Sequence, residues 1–411
     1  MEHLRVALLS LHSCPWSKPG GRYTGGMNIY IQNISREMAK LGVTIDIYTC
    51  SHEGEDLCSF RSYDDNVRLI HIDAGPCNRT TEAGQAGYAN SLAQAIDTYC
   101  RQSNLRYDVI HSHYWLSGLA GSYLKDLWRV PHVTMFHTLG ALKNSSLLGT
   151  TEPLSRISHE RLIMQSCDHV IASTPVEKLE LLNRYGIHDD KVRVIPCGIN
   201  PSLFRPIHRQ AARAICDLPE KTTLLFVGRP DPIKGLENLL RAASMLIPEN
   251  DFQLLVIGCG NHFMDEWRQT ARRYGINNIK DHVIFTGPVE HEKMFLYYNA
   301  ADLCIIPSYY ESFCLTALES VACGTPVLAT RVGEIPEISR QFTLCKTIPD
   351  NSPDTLAQYI TSFLQYIETD RDVSRAALAA YYGWDSIARR IVCDYKDALR
   401  EPVSAGEATV K

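Results

Sequence analysis

The sequence predicts an α/β protein built from two Rossmann-like domains, each a doubly wound parallel sheet, facing a central cleft. Three observations lead there. Short apolar runs alternate with amphipathic stretches along nearly the whole chain, and that alternation buries a parallel sheet between helices. The alternation breaks once, at "RVIPCGINPSLFRP" (193–206), which holds three prolines, a glycine and an asparagine. The chain has 411 residues, more than one hydrophobic core usually organises.

The first half opens with "RVALLSLH" (5–12), an apolar strand rather than a signal peptide, because it runs into a glycine-rich loop. "GMNIYIQNISREMAKLG" follows, with Met27, Ile31, Ile34, Met38 and Leu41 at helical spacing and Gly42 as the stop. "VTIDIYT", "VRLIHID", "DVIHSH", "HVTMF" and "HVIAS" read as further strands. Helical segments fall between them near 86–102, 116–128, 153–167 and 175–185. Residues 1–195 form the first domain and 196–206 the linker. The alternation then restarts with five strands, "TTLLFVG", "FQLLVIG", "HVIFTG", "DLCIIPS" and "TPVLAT", and 207–382 form the second domain. Late helices are expected near 353–368, 371–382 and 384–400. The segment 383–400 is expected to pack back toward the first domain. The polar tail 401–411 reads as disordered.

Composition narrows the function. A net charge of -5 argues against a strongly basic nucleic-acid binder. No run of 18 apolar residues suits a membrane span, so membrane association is peripheral at most. None of the 14 cysteines forms a C-x-x-C pair, and most lie in apolar runs. Reduced buried thiols in a cytoplasmic protein are the reading, with no disulfide scaffold or zinc site.

In open α/β sheets ligands bind beyond the carboxyl ends of the strands, so the strand-to-helix turns are where chemistry is expected. "KPGGRYTGGMN" (18–28) places Gly25 and Gly26 before a helix, where backbone N–H groups can approach a phosphate or sugar. The G-x-G-x-x-G spacing of a dinucleotide fold is absent, which disfavours a dehydrogenase. "VGRPDPIKG" (227–235) carries Arg229 and Lys234 at a second turn, a forked donor and a point charge suited to an anion. "VTMFHTLGALKN" (133–144) sets His137 at a strand end, and "HSHYWLSG" (111–118) brings Tyr114 and Trp115 to the neighbouring turn. His12, His111 and His113 gather there without an acid partner at metal-site spacing. "VIGCGN" (256–261) is a weak glycine-rich turn. The only D-x-D, Asp370 to Asp372, reads as a solvated helix start. "ESFCLTALE" (311–319) puts Glu311 and Glu319 where a strand hands over to a helix, an unexpected pair of acids beside an anion site.

Together "GGMN", "HSHYWLSG", "FHTLG", "VGRPDPIKG" and "ESFCLTALESVACGTPVLAT" resemble the retaining glycosyltransferases of family 4, which have the GT-B fold. The resemblance runs from about residue 5 to residue 400. The N-terminal motifs look nearest the D-inositol-3-phosphate glycosyltransferase and sucrose-phosphate synthase branches. It implies transfer of a hexosyl group from a nucleotide sugar, by preference UDP-linked, to an acceptor hydroxyl. Arg229 and Lys234 would hold the donor diphosphate, Glu311 hydroxyls of the sugar, and Glu319 those of the ribose. The backbone at Leu315 and Thr316, beside Cys314, would donate to sugar or phosphate. Gly25 and Gly26 would support the β-phosphate, Val289 would edge the base, and His137 would meet the sugar's primary hydroxyl. Asn28, Tyr114, Thr138, Lys143 and Arg156 match places where those branches grip a phosphorylated acceptor. No cofactor is implied and no divalent metal is required. Three departures stand out: Cys314 and Glu334 replace usual glycines, and where the inositol-phosphate branch has a lysine after its "GP" turn, "AGPCNRTTEAG" offers only Arg79. The rival readings are a sugar-nucleotide epimerase on the same fold and a non-catalytic nucleotide-sugar sensor. A paired-carboxylate glycosidase would not need the Arg229–Lys234 anion site.

Overall fold

The computed structural model describes residues 3–17, 25–50, 60–64, 66–73, 82–145, 151–229, 231–247, 250–258, 265, 269, 282–365 and 374–401. The first sheet holds β1 (Arg5–Leu9), β2 (Thr44–Cys50), β3 (Phe60–Asp64), β4 (Val67–Ile72), β5 (Val109–His113), β6 (His132–Met135), β7 (His169–Ala172) and β8 (Val192–Val194). Their order across the sheet is β3-β4-β2-β1-β5-β6-β7-β8. All pair in parallel except β3, which runs antiparallel to β4. The second sheet holds β9 (Thr222–Val227), β10 (Phe252–Ile257), β11 (Val283–Gly287), β12 (Leu303–Ile306), β13 (Val327–Thr330) and β14 (Cys345–Ile348). It is wholly parallel, in the order β11-β10-β9-β12-β13-β14.

The central strands bury nearly every side chain, as parallel strands covered on both faces must; β10 and β12 are buried throughout. The first helix, Gly26–Lys40, turns Tyr30, Ile31, Ile34 and Met38 onto the sheet at three- and four-residue steps. Gly42, at φ +84°, releases the chain into β2.

Three expectations need correction. The second domain has six strands, not the five that apolar runs predict. β14 reads "CKTI" and buries only its two ends, so it lacks the apolar signature of an inner strand. The opening strand stops at Leu9, short of His12. β8 runs to Val194, so the proline-rich break keeps its first two residues in the sheet.

The chain crosses between the sheets twice, side by side. On the outward crossing the Ile199 N–H donates to the Tyr382 carbonyl at 2.7 Å, and on the return the Trp384 N–H donates to the Ile199 carbonyl at 3.2 Å. A Cβ on Gly198 would lie 2.4 Å from the Trp384 indole, so only glycine lets the two strands of the crossing touch. The last helix, Trp384–Arg400, packs on the helix Gly26–Lys40. Tyr30 meets Trp384 edge-on at 5.5 Å, and the Tyr395 hydroxyl lies 2.6 Å from Nδ1 of His111.

Candidate active site

The carboxyl ends of both sheets converge on one cleft, where described parts of the turns singled out above come together. Gly235 has φ +69°, and a Cβ on it would fall 2.1 Å from the Pro307 carbonyl oxygen. This left-handed glycine lets the β9 turn press against the end of β12. The contact brings Lys234 to Glu311: Nζ donates to Oε1 at 2.7 Å and to Oε2 at 2.8 Å. The Ser308 hydroxyl donates to the same carboxylate at 2.8 Å. Lys234 and Glu311 keep 22% and 13% of their side-chain surface exposed, so the pair is sheltered yet reachable. Arg229 is exposed at the start of the same turn.

Glu311 leads into the helix Leu315–Ala322. Its first turn presents backbone N–H groups without intrahelical partners, the usual setting for an anion. Leu315 and Thr316 are half-buried there. Gly26 faces that turn from the other domain, since a Cβ on Gly26 would lie 3.6 Å from Cδ1 of Leu315. The Ser173 hydroxyl donates to the Ser312 carbonyl at 3.1 Å, a second contact across the cleft. Gly25 has nothing within 4 Å of where its Cβ would stand, and Val289 is half-buried after β11. Cys314 has φ +87°, a left-handed conformation that favours glycine. The cysteine therefore keeps a glycine's backbone and buries its thiol.

Glu319 lies in the second turn of that helix, too deep to serve the helix dipole alone. Its Oε1 is 2.5 Å from Nε2 of His291 and its Oε2 accepts from the Tyr298 hydroxyl at 2.8 Å. Glu334 points elsewhere. It accepts from the Tyr382 hydroxyl at 3.0 Å beside the crossing, and its Oε2 is buried without a hydrogen bond. Burial pushes its pKa up to about 7. Gly333, beside it, keeps φ +56°, where a Cβ would stand 2.5 Å from the Phe313 carbonyl oxygen.

On the first domain, His137 (φ +59°) and Tyr114 (φ +74°) also adopt left-handed backbones at strand ends, the kind of local strain that clusters at functional turns. His137 Nε2 lies 2.9 Å from His113 Nδ1. Dense protein around the His137 ring pushes its pKa down to about 3, although part of the residue remains open to solvent. At neutral pH it is a hydrogen-bonding imidazole and not an acid. Arg156 is buried and lies 4.9 Å over the Tyr114 ring. It donates to Glu160 at 2.9 Å and to the Thr138 carbonyl at 2.9 Å, and pairs with Glu152 at 2.8 Å. Lys143 pairs with the same Glu152 at 2.6 Å. Asn28 donates to the Cys14 carbonyl at 2.8 Å, so its amide ties the loop after β1 to the helix start.

Sequence reasoning missed His291, Tyr298, Ser308 and Glu152. Only His291 carried a signal, standing two residues after Val289 in "TGPVEHE". Residues 18–24, Arg79, Cys259–Asn261 and the Asp370–Asp372 pair lie outside the described residues. Among the described residues no helix is long and apolar enough to cross a membrane, and no three His, Cys, Asp or Glu side chains gather as around a metal.

Comparison with known proteins agrees with this geometry. A profile described as "Glycosyltransferase Family 4" matches residues 24–203, and one described as "Glycosyl transferases group 1" matches 221–366. The D-inositol 3-phosphate glycosyltransferase 2 of Catenulispora acidiphila is 35% identical over 418 aligned residues, covering 98% of this chain and 97% of the relative. Sucrose-phosphate synthase from Thermosynechococcus elongatus superposes with a TM-score of 0.85 at 28% identity, over 97% of this chain and 99% of that one. Anabaena HepE in complex with UDP-glucose superposes with a TM-score of 0.73 over 96% of this chain and 100% of its own, a likeness of fold alone at 16% identity. Two profiles on two domains, and relatives that align from end to end, make this chain a member of glycosyltransferase family 4 with the GT-B fold, an enzyme that transfers glycosyl groups.

Proposed function

We propose that the enzyme moves a hexosyl group, with retained anomeric configuration, from a UDP-sugar to a hydroxyl of a phosphorylated sugar or polyol. The observation that carries this reading is the Lys234–Glu311 pair beside the open first turn of the helix Leu315–Ala322, facing Gly26 across the cleft. Cation, carboxylate and free N–H groups lie side by side there, matching a diphosphate next to a polyhydroxylated ring. Lys234, Arg229 and the helix N-terminus receive the charge that gathers on the leaving diphosphate. Glu311 accepts from hydroxyls of the sugar, Glu319 from the ribose diol, and neutral His137 bonds a sugar hydroxyl.

In the proposed step the bond from the anomeric carbon to the donor phosphate oxygen breaks. A bond to the acceptor oxygen forms on the same face. The acceptor proton passes to the departing phosphate oxygen, so no enzyme nucleophile is needed. Protein cations balance the diphosphate, and the reading assigns no step to a divalent metal. The UDP preference follows the family resemblance, and the phosphorylated acceptor is supported by the printed names of the relatives and by Arg156, which lies over the Tyr114 ring and shares Glu152 with Lys143.

The test is nucleoside diphosphate release from UDP-, GDP- and ADP-sugars, with and without pooled sugar and polyol phosphates, read beside Lys234→Ala. Acceptor-dependent release that the substitution removes, with a product of unchanged anomeric configuration by NMR, is the expected outcome. Donor returned as an isomer would replace this reading with epimerisation. Tight binding without consumption would replace it with sensing.

A further inference from the structure

His291 has no part in the scheme above, yet it is the shortest contact that Glu319 makes. It opens the single turn His291–Lys293 after β11, two residues beyond Val289. Its Nε2 sits 2.5 Å from Oε1 of Glu319, while the Tyr298 hydroxyl holds Oε2. Each carboxylate oxygen is therefore anchored once, from a different element. Phe204 of the crossing packs against both anchors, with ring centroids 5.1 Å from His291 and 6.1 Å from Tyr298. Glu319 and His291 line a cavity of ≈ 100 Å³ whose other lining residues include Ile29, Arg36, Phe204 and Trp384.

A carboxylate oxygen offers two lone pairs. One on each oxygen of Glu319 is engaged by its anchor, which leaves one on each for a further donor. Two neighbouring hydroxyls supply two such donors at a matching separation. Burial by itself would lower the His291 pKa, but the charge and hydrogen bond of Glu319 more than offset it, and the pKa stands above its ordinary value. The charged and titratable groups around the ring are Glu319 and Tyr298, Glu292 of its own turn, and Arg36 across the cavity. The carboxylate thus favours the protonated ring.

We propose that His291 is a positioning residue that holds the Glu319 carboxylate so that its remaining lone pairs meet the vicinal diol of the donor's ribose. The proposal rests on the ribose reading of Glu319 given above. Its effect belongs to donor affinity and KM, not to kcat at saturating donor.

The experiment is calorimetric titration of UDP, GDP and ADP, each beside its 2′,3′-dideoxy counterpart, into wild type, His291→Ala and His291→Gln. For the diphosphate that binds, His291→Ala is expected to weaken the parent nucleotide roughly tenfold to a hundredfold and to leave the dideoxy form unchanged. His291→Gln, whose amide can donate at the same reach, is expected to restore most of the loss. Wild-type affinity for the parent should fall as pH rises through the raised histidine pKa, above ~6.5, while the Gln variant stays flat. Equal weakening of both ligands, or a wild-type-like titration of His291→Ala, would overturn the assignment. Wild type that binds none of the six overturns the donor reading itself, a separate failure.

Discussion

Cys314 shows how a single residue can keep a motif's geometry while changing its chemistry. Its φ of +87° is one that glycine adopts freely and L-residues resist. Cys314→Gly should relieve that strain while vacating a buried thiol, and change stability by no more than about 1 kcal/mol. Cys314→Val, with a branched Cβ, should lower stability by considerably more. Urea melts of the two variants would check the order. Gly235 is the complementary case: Gly235→Ala drives a Cβ into the Pro307 carbonyl oxygen, 2.1 Å away, and should unseat Lys234 as well as lower the melting temperature. Lys234→Ala should lower kcat about 10²–10³-fold, the range for losing one preorganised donor at a developing anion. Legibility at this scale followed chemistry. Arg229, Lys234, Glu311 and Glu319 were singled out because charges at strand ends are conspicuous. Glu152 was not, because nothing in "TEPLSR" announces that its carboxylate bridges Lys143 and Arg156.

Among the elements, the inner strands and long helices were legible, and of the sheet edges only β11 was, through "HVIFTG". β10 and β12 are continuous apolar runs, whereas edge strands β3 ("FRSYD") and β14 ("CKTI") are short and mix polar with apolar residues. An edge strand has only one sheet neighbour and needs less apolar surface. The last helix was expected from its spacing, and its packing follows from what it buries: Trp384, Ile387, Ile391 and Tyr395. Removing 384–400 should therefore leave protein that does not fold, because the face of the helix Gly26–Lys40 beneath it would lie open. Soluble expression with a native-like near-UV circular dichroism spectrum would contradict this.

Taken whole, the molecule has one hydrophobic cluster that runs through both domains, beside three that stay within one domain. Val6 and Leu8 under the first sheet, Leu225 and Leu255 under the second, and Phe204 and Trp384 at the crossing belong to one contiguous cluster. Heating should give one calorimetric transition and not two well-separated ones. Stability should also fall on the acid side. Burial pushes His111, His132 and His137 down to about 3 and His113 well below its ordinary value. The unfolded chain takes up those protons below ~6.5 while the folded one does not, so each histidine removes up to ~1.4 kcal/mol per pH unit as pH falls. Glu334, pushed up to about 7, acts in the opposite sense. The folded form keeps a proton that the unfolded chain releases above ~4.3, so its contribution declines as pH rises from there to 7. Four histidines outweigh one glutamate where the windows overlap. Urea denaturation from pH 4 to 8 should rise toward pH 6.5, and Glu334→Gln should gain stability at pH 8 but not at pH 4.

The two-domain division was readable because the linker is dense in proline, and the last helix packs on the first domain as expected, against the helix Gly26–Lys40. Its position has a consequence during synthesis. The helix that completes the first domain is made after the whole of the second. At about 5–20 residues per second, the ribosome needs roughly 10–40 s to travel from the outward crossing to the return one. Through that interval the nascent first domain carries an uncovered apolar groove around Tyr30. That groove is covered only when Trp384 and Tyr395 have been made.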